Sequence, residues 1–135
     1  METTYFYLAL SGLLTISLWI PYIISRAFTW GIPLFLHNYP ENYPKQQPEA
    51  PLWAQRSLRA HLNMVETLPA FVSVVLAAGV IAPETNHAAI AQWAQIFFIA
   101  RVSHAIVYTL GIPFLRTPVY LISWLAILMI GIATL

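Results

Sequence analysis

The side chains able to do chemistry fall into two stripes of helical spacing and one short cluster. Arg56, Arg59, Asn63 and Glu66 lie in the stretch RSLRAHLNMVE, immediately ahead of the apolar run LPAFVSVVLAAGVIA. At about 100° per residue these four positions occupy roughly an 80° arc of one helix, and His61 points elsewhere. Arg101, His104 and Tyr108 recur at spacings of three and four, which gathers them within roughly 60° on a second helix. Arg116, Thr117 and Tyr120 form the cluster, just beyond Gly111-Ile112-Pro113. Guanidinium groups can take carboxylates or hold an anion, a carboxylate can take an ammonium, and Asn and Tyr supply neutral hydrogen bonds. Two roles are open to such stripes: glue between packed helices, or the lining of a polar ligand site. No second and third histidine stand at ligand spacing from His104, so no metal site is expected.

The elements that must position these groups are membrane spans. Of 135 residues, 59% are hydrophobic and 8% charged, against about 25% charged in soluble domains. The composition is that of an all-α integral membrane protein of one domain, residues 1–135. A net charge of +1 offers no clustered basic surface for nucleic acid. Cysteine is absent, which excludes disulfides, thiolate metal ligands and a protein thiol nucleophile. Any sulfur chemistry must come from a ligand. The start, Met1-Glu2, has no basic n-region, and its apolar run is longer than a signal-peptide core, so a retained span is expected.

From Thr3 to Ser25 no charge occurs, and at about 1.5 Å per residue the stretch exceeds the roughly 30 Å of hydrocarbon. This is the first span, 3–25, with Pro21 expected to kink it and Arg26 to close it. Residues 27–51 carry Pro33, Pro40, Pro44, Pro48 and Pro51, with an echo of Asn38-Tyr39-Pro40 in Asn42-Tyr43-Pro44. A long surface loop is expected there, its aromatics at the headgroups. The second span is expected over 52–82, bent by Pro69, and the third over 88–110 after a tight turn at Pro83-Glu84-Thr85-Asn86. The fourth is expected over 118–135, with Thr117 as N-cap and Pro118 at its first position. Arg26, Lys45, Arg56, Arg59 and Arg116 fall in or beside the first and third loops, which the positive-inside rule puts in the cytoplasm. Glu66 then lies about 10 Å deeper than Arg59, at the depth of Arg101. An isolated charge there is costly, so a Glu66–Arg101 ion pair is expected.

Arg59-Ala60-His61-Leu62-Asn63-Met64-Val65-Glu66, then Ala100-Arg101-Val102-Ser103-His104 with Tyr108, then Arg116 and Tyr120, resembles the MAPEG family. These are membrane-associated proteins of eicosanoid and glutathione metabolism. The resemblance runs from about Leu52 to Tyr120 and implies a homotrimer of four-helix protomers, with glutathione as co-substrate between subunits near the cytoplasmic face. The positions matching the family's glutathione contacts are Arg59, Asn63, Glu66, His104, Tyr108, Arg116 and Tyr120, with Arg26 a looser match. Leu62 stands where the prostaglandin synthase has arginine, and Thr67 where the leukotriene synthase has tyrosine, which weakens transfer of the eicosanoid activities. Thr117 stands where the prostaglandin synthase has serine. Glutathione carries two carboxylates, an ammonium and a thiol, and this chain holds cations, an anion and neutral donors to meet them.

The reading is a glutathione transferase or peroxidase of a bacterial-type inner membrane, acting from the cytoplasmic side on lipophilic electrophiles. Its expected catalytic residues are Arg116, which would favour thiolate, and Thr117, either a hydrogen-bond donor to sulfur or the N-cap. A non-catalytic trimeric scaffold that binds lipid or fatty acid in the same groove is the alternative, and a purely structural four-helix assembly is a third. The orientation has a direct check, since the chain has no native cysteine. Single cysteines at Gln46, Phe114 and Thr85, probed in intact cells with an impermeant maleimide, are expected to label only at Thr85; labelling at Gln46 reverses the orientation.

Overall fold

A computed structural model of the chain describes residues 1–36 and 49–135. Among these the fold is entirely helical, in the order α1 (Glu2–Ser17), α2 (Ile20–Trp30), α3 (Ile32–Leu36), α4 (Leu52–Ile81), α5 (His87–Leu110) and α6 (Arg116–Thr134), with a 3₁₀ turn at Glu84–Asn86 before α5. Four stretches are long and apolar enough to cross a membrane: Glu2–Trp30, Leu52–Ile81, Glu84–Leu110 and Arg116–Thr134. The chain is therefore a four-helix membrane bundle whose first member is made of α1 and α2. The Asn-Tyr-Pro echo, Lys45, Gln46 and Pro40, Pro44 and Pro48 lie outside the described residues.

The first span is interrupted ahead of Pro21, as expected, but ends later than the expected 3–25. It breaks at Leu18 and Trp19, ahead of Pro21 in the first turn of α2. A proline ring clashes with the carbonyl four residues earlier and offers it no N–H, and that carbonyl belongs to Ser17, the last residue of α1. The helix then runs past Arg26 to Trp30, and Gly31, at a φ of 75°, turns the chain into α3. Residues 27–36, expected as loop, are thus mostly helical. Pro33 sits in the first turn of α3, where a missing N–H leaves no bond unmade. α4 continues through Pro69.

The start of α6 also differs from expectation. Gly111, left-handed at φ 72° and ψ 31°, ends α5; its N–H donates to Tyr108 O at 3.1 Å and that of Ile112 to Val107 O at 3.0 Å, the paired bonds of a Schellman cap. Phe114 takes a φ of 65°, and the tight turn closes by Leu115 N–H to Pro113 O at 2.8 Å. Leu115 therefore caps α6 and the helix begins at Arg116. Thr117 is not the N-cap, because this turn starts the helix two residues earlier, with Thr117 and Pro118 inside its first turn.

Packing follows one face of each long helix. The buried positions of α4 are Ala54, Ser57, Ala60, Met64, Thr67, Phe71, Val75 and Ala78, a repeat of threes and fours that makes a single seam. Phe71, Val75 and Ala78 meet Ile90, Ala94 and Phe97 of α5 and Ala126 and Ile130 of α6. α5 and α6 share the most extensive contact, and α1 lies against α4 and α5. Small residues on these seams let backbones approach in a solvent as apolar as leucine. The rings of Phe71 and Phe97 stack at 3.9 Å and 13°. His61, off the polar stripe, joins α4 to α1 through Nδ1 and Thr15 O, 3.0 Å apart, and Asn86 Nδ2 donates to Ala133 O at 2.9 Å, fixing the start of α5 to the end of α6. Because Phe71 has no exposed surface and fills the centre of this core, Phe71→Ala is expected to cost about 3 kcal/mol or more. Thermal unfolding in detergent checks this, with Phe71→Leu expected to lose much less.

Candidate functional site

The polar side chains converge where α4, α5 and α6 meet near one end of their spans. A cavity of about 360 Å³ is lined by Arg59, Leu62, Asn63 and Glu66 from α4, His104 and Tyr108 from α5, and Arg116, Thr117 and Tyr120 from α6. Every residue matched to a glutathione contact is therefore on this wall except Arg26. That residue, on α2, has its guanidinium 4.1 Å from the centre of the Trp30 ring and 5.7 Å from that of Tyr22, and it lines a separate cavity with Tyr22, Glu49 and Gln55. The two cavities share Arg59 and Leu62 of α4, while α2, which carries Arg26, packs on α4 and α3.

The deepest member of the cluster is Arg101, with 1% of its surface exposed. Its Nη1 donates to Asn63 Oδ1 at 3.0 Å and its Nε to Met64 Sδ at 3.2 Å. The expected Glu66–Arg101 ion pair is not the contact made. Glu66 is exposed on the protomer and attracts Arg101 only through space. Asn63 and Met64 are nearer because the buried seam of α4 passes through Met64, so Arg101, itself buried on α5, meets that seam rather than the outer edge of the stripe. Met64 gave no signal in the sequence, since a thioether reads as core. Thr67 donates to the carbonyls of Asn63 and Met64 at 3.0 and 3.1 Å.

Above this anchor the aromatic rings form a ladder between two cations. Arg101 lies 5.8 Å from the Tyr120 ring centre, Tyr120 is 6.0 Å from His104, His104 stacks on Tyr108 at 5.6 Å and 29°, and Arg116 lies 4.9 Å from Tyr108. Cation–π attraction of about 0.5–2 kcal/mol per contact holds the ring faces while leaving hydroxyl and N–H edges free for other partners. His104 is buried, and its Nδ1 has no hydrogen-bond partner among the described residues. Among the described residues no three His, Cys, Asp or Glu side chains are grouped to hold a metal ion. The cavity thus offers two guanidinium groups, one carboxylate, two phenols and an amide, a set suited to a small ligand with charges of both signs.

If Asn63 is the principal acceptor for Arg101, Asn63→Leu is expected to cost about 2 kcal/mol of stability, and Glu66→Gln much less. Detergent melting of the single variants and an Asn63→Leu/Arg101→Met mutant cycle check this; purely additive effects remove the pairing.

The family model that matches the chain is that of the MAPEG family, over residues 3–135. Comparison with curated proteins gives no match. A family match across nearly the whole chain agrees with the four apolar helices and with the order of the motif residues on them. The protein belongs to the MAPEG family.

Proposed function

We propose that this protein is a membrane-bound glutathione transferase or peroxidase, working as a homotrimer with its site at the cytoplasmic face of a bacterial-type inner membrane. The observation that carries the reading is the single cavity of about 360 Å³ on which Arg59, Asn63, Glu66, His104, Tyr108, Arg116 and Tyr120 converge. Arg59 meets a carboxylate of the tripeptide, Glu66 its ammonium, and Asn63, His104 and the tyrosines its neutral polar groups. Since Arg101 hydrogen-bonds to Asn63 and Met64, the Glu66 carboxylate is free for that task. The exposure of Glu66 supports assembly with further copies, and the number three is what the family resemblance implies. A carboxylate turned outward from a span would face hydrocarbon at a cost of several kcal/mol, and a neighbouring copy that covers the cavity removes it from lipid.

Arg116 activates the thiol. A guanidinium is charged at any working pH, and this one stands in the first turn of α6, where no side chain caps the free amides and the helix dipole favours an anion. A thiol of pKa about 8.5 is mostly protonated at neutral pH, and such surroundings lower that value by about a unit or more. The thiolate then attacks the electrophilic carbon of a lipophilic substrate: a C–S bond forms, and the leaving group departs with its electron pair. Thr117, inside the same turn, donates its hydroxyl to the sulfur.

Glutathione added to the detergent-purified protein is expected to bind and to develop thiolate absorbance in the ultraviolet, and chlorodinitrobenzene to be conjugated. Arg116→Ala is expected to lose most of the absorbance and the conjugation, with the assembly intact and binding only weakened. Unchanged absorbance and rate in that variant exclude Arg116 from the chemistry, and no glutathione binding by the native protein ends the reading.

A further inference from the structure

A second cavity, of about 490 Å³, adjoins the first and is lined by Arg56, Arg59 and Arg116 together with Gly111, Ile112 and Phe114. It brings three guanidinium groups to one hollow whose wall, among the described residues, carries no carboxylate. None of the three has a hydrogen-bonded or ionic partner among the described residues. Arg56 is held in place by shape: its guanidinium fills the space that a Cβ at Gly111 would need, so the glycine that ends α5 also makes room for the cation. The charges sit in the first turns of α4 and the first turn of α6, beside the last turn of α5, where three spans end together at one membrane boundary. The rim beside them is apolar, with Ile112, Leu115 and a Phe114 side chain that is 93% exposed.

We infer that this hollow is a headgroup site for an anionic membrane lipid, the phosphate lying among Arg56, Arg59 and Arg116 and the acyl chains running down past the apolar rim. Cations without an ionic partner, grouped at a boundary between spans, attract anionic headgroups, and guanidinium matches phosphate oxygens in fork geometry. A free phosphate would use the arginines and leave the apolar rim without a role, which favours the lipid as source. Arg56 belongs to this hollow and not to the first cavity, so it separates the two.

The test is native mass spectrometry of the detergent-purified full-length protein, titrated with phosphatidylglycerol, with phosphatidylcholine of the same chains, or with inorganic phosphate. The native protein is expected to retain phosphatidylglycerol preferentially, and Arg56→Gln to reduce that preference about fivefold, while Arg56→Lys and Arg26→Gln keep most of it. Glutathione binding is expected to survive Arg56→Gln. The site is overturned if Arg56→Gln keeps the preference, if Arg26→Gln loses as much, if added salt leaves the native preference unchanged, or if millimolar phosphate displaces the lipid. Loss of glutathione binding in step with lipid in Arg56→Gln merges the hollow into the first cavity and ends the inference. Lipid retention without any glutathione binding in the native protein leaves the inference standing and removes the proposed function instead.

Discussion

A guanidinium group buried in a membrane bundle must be compensated, and the arrangement of this protein's site depends on how that is done for Arg101. Leaving such a charge without a partner costs several kcal/mol, so the helices that surround it have little freedom of register. Nη1 reaches Asn63 and Nε reaches Met64, which ties α5 to α4, while the Tyr120 ring brings in α6. Once Asn63 is held, Arg59 one turn before it and Glu66 one turn after it are fixed on the same wall. Once Arg101 is held, His104 and Tyr108 follow at successive turns of α5. With neutral acceptors for the buried cation, the one carboxylate that the described residues place on the cavity wall, Glu66, is not consumed by the fold.

The spans were legible because hydropathy and length are properties of single segments, and α4, α5 and α6 are each one uninterrupted helix. The departures are at prolines and turns, where neighbouring geometry decides. Pro21 was read as a kink, and the span does break just ahead of it; Pro33 was read as a loop marker, but it lies in the first turn of a helix, where its missing N–H does no harm. Thr117-Pro118 has the composition of a cap followed by a first residue. The left-handed Phe114 nonetheless starts α6 ahead of it, and nothing in a phenylalanine signals that conformation.

In the candidate site, residue type and helical spacing were enough to assemble the wall, since Arg59, Asn63 and Glu66 on one helix and His104 and Tyr108 on the next can face a common space only if the stripes oppose. Pairing within the site was not legible. Charge and depth alone matched Arg101 to Glu66, yet which atom a buried side chain meets is set by which seam its helix buries, and Met64 rather than Glu66 is on the seam of α4. Arg26 was included as a looser match of the resemblance; it lies on α2, in a neighbouring cavity that shares Arg59 and Leu62 with the first, a placement that no local pattern carries.

His104 shows how the same constraint extends along α5. Its ring is clamped between Tyr108 and Tyr120, and the ladder that holds it ends in a cation on each side. The ring therefore cannot turn to seek a hydrogen bond without breaking stacking contacts. Yet its buried Nδ1 has no partner among the described residues, a state that costs about 1–3 kcal/mol. The register that places the three rings in line is the one Arg101 fixes, through Asn63 and Met64 on α4 and the Tyr120 ring on α6.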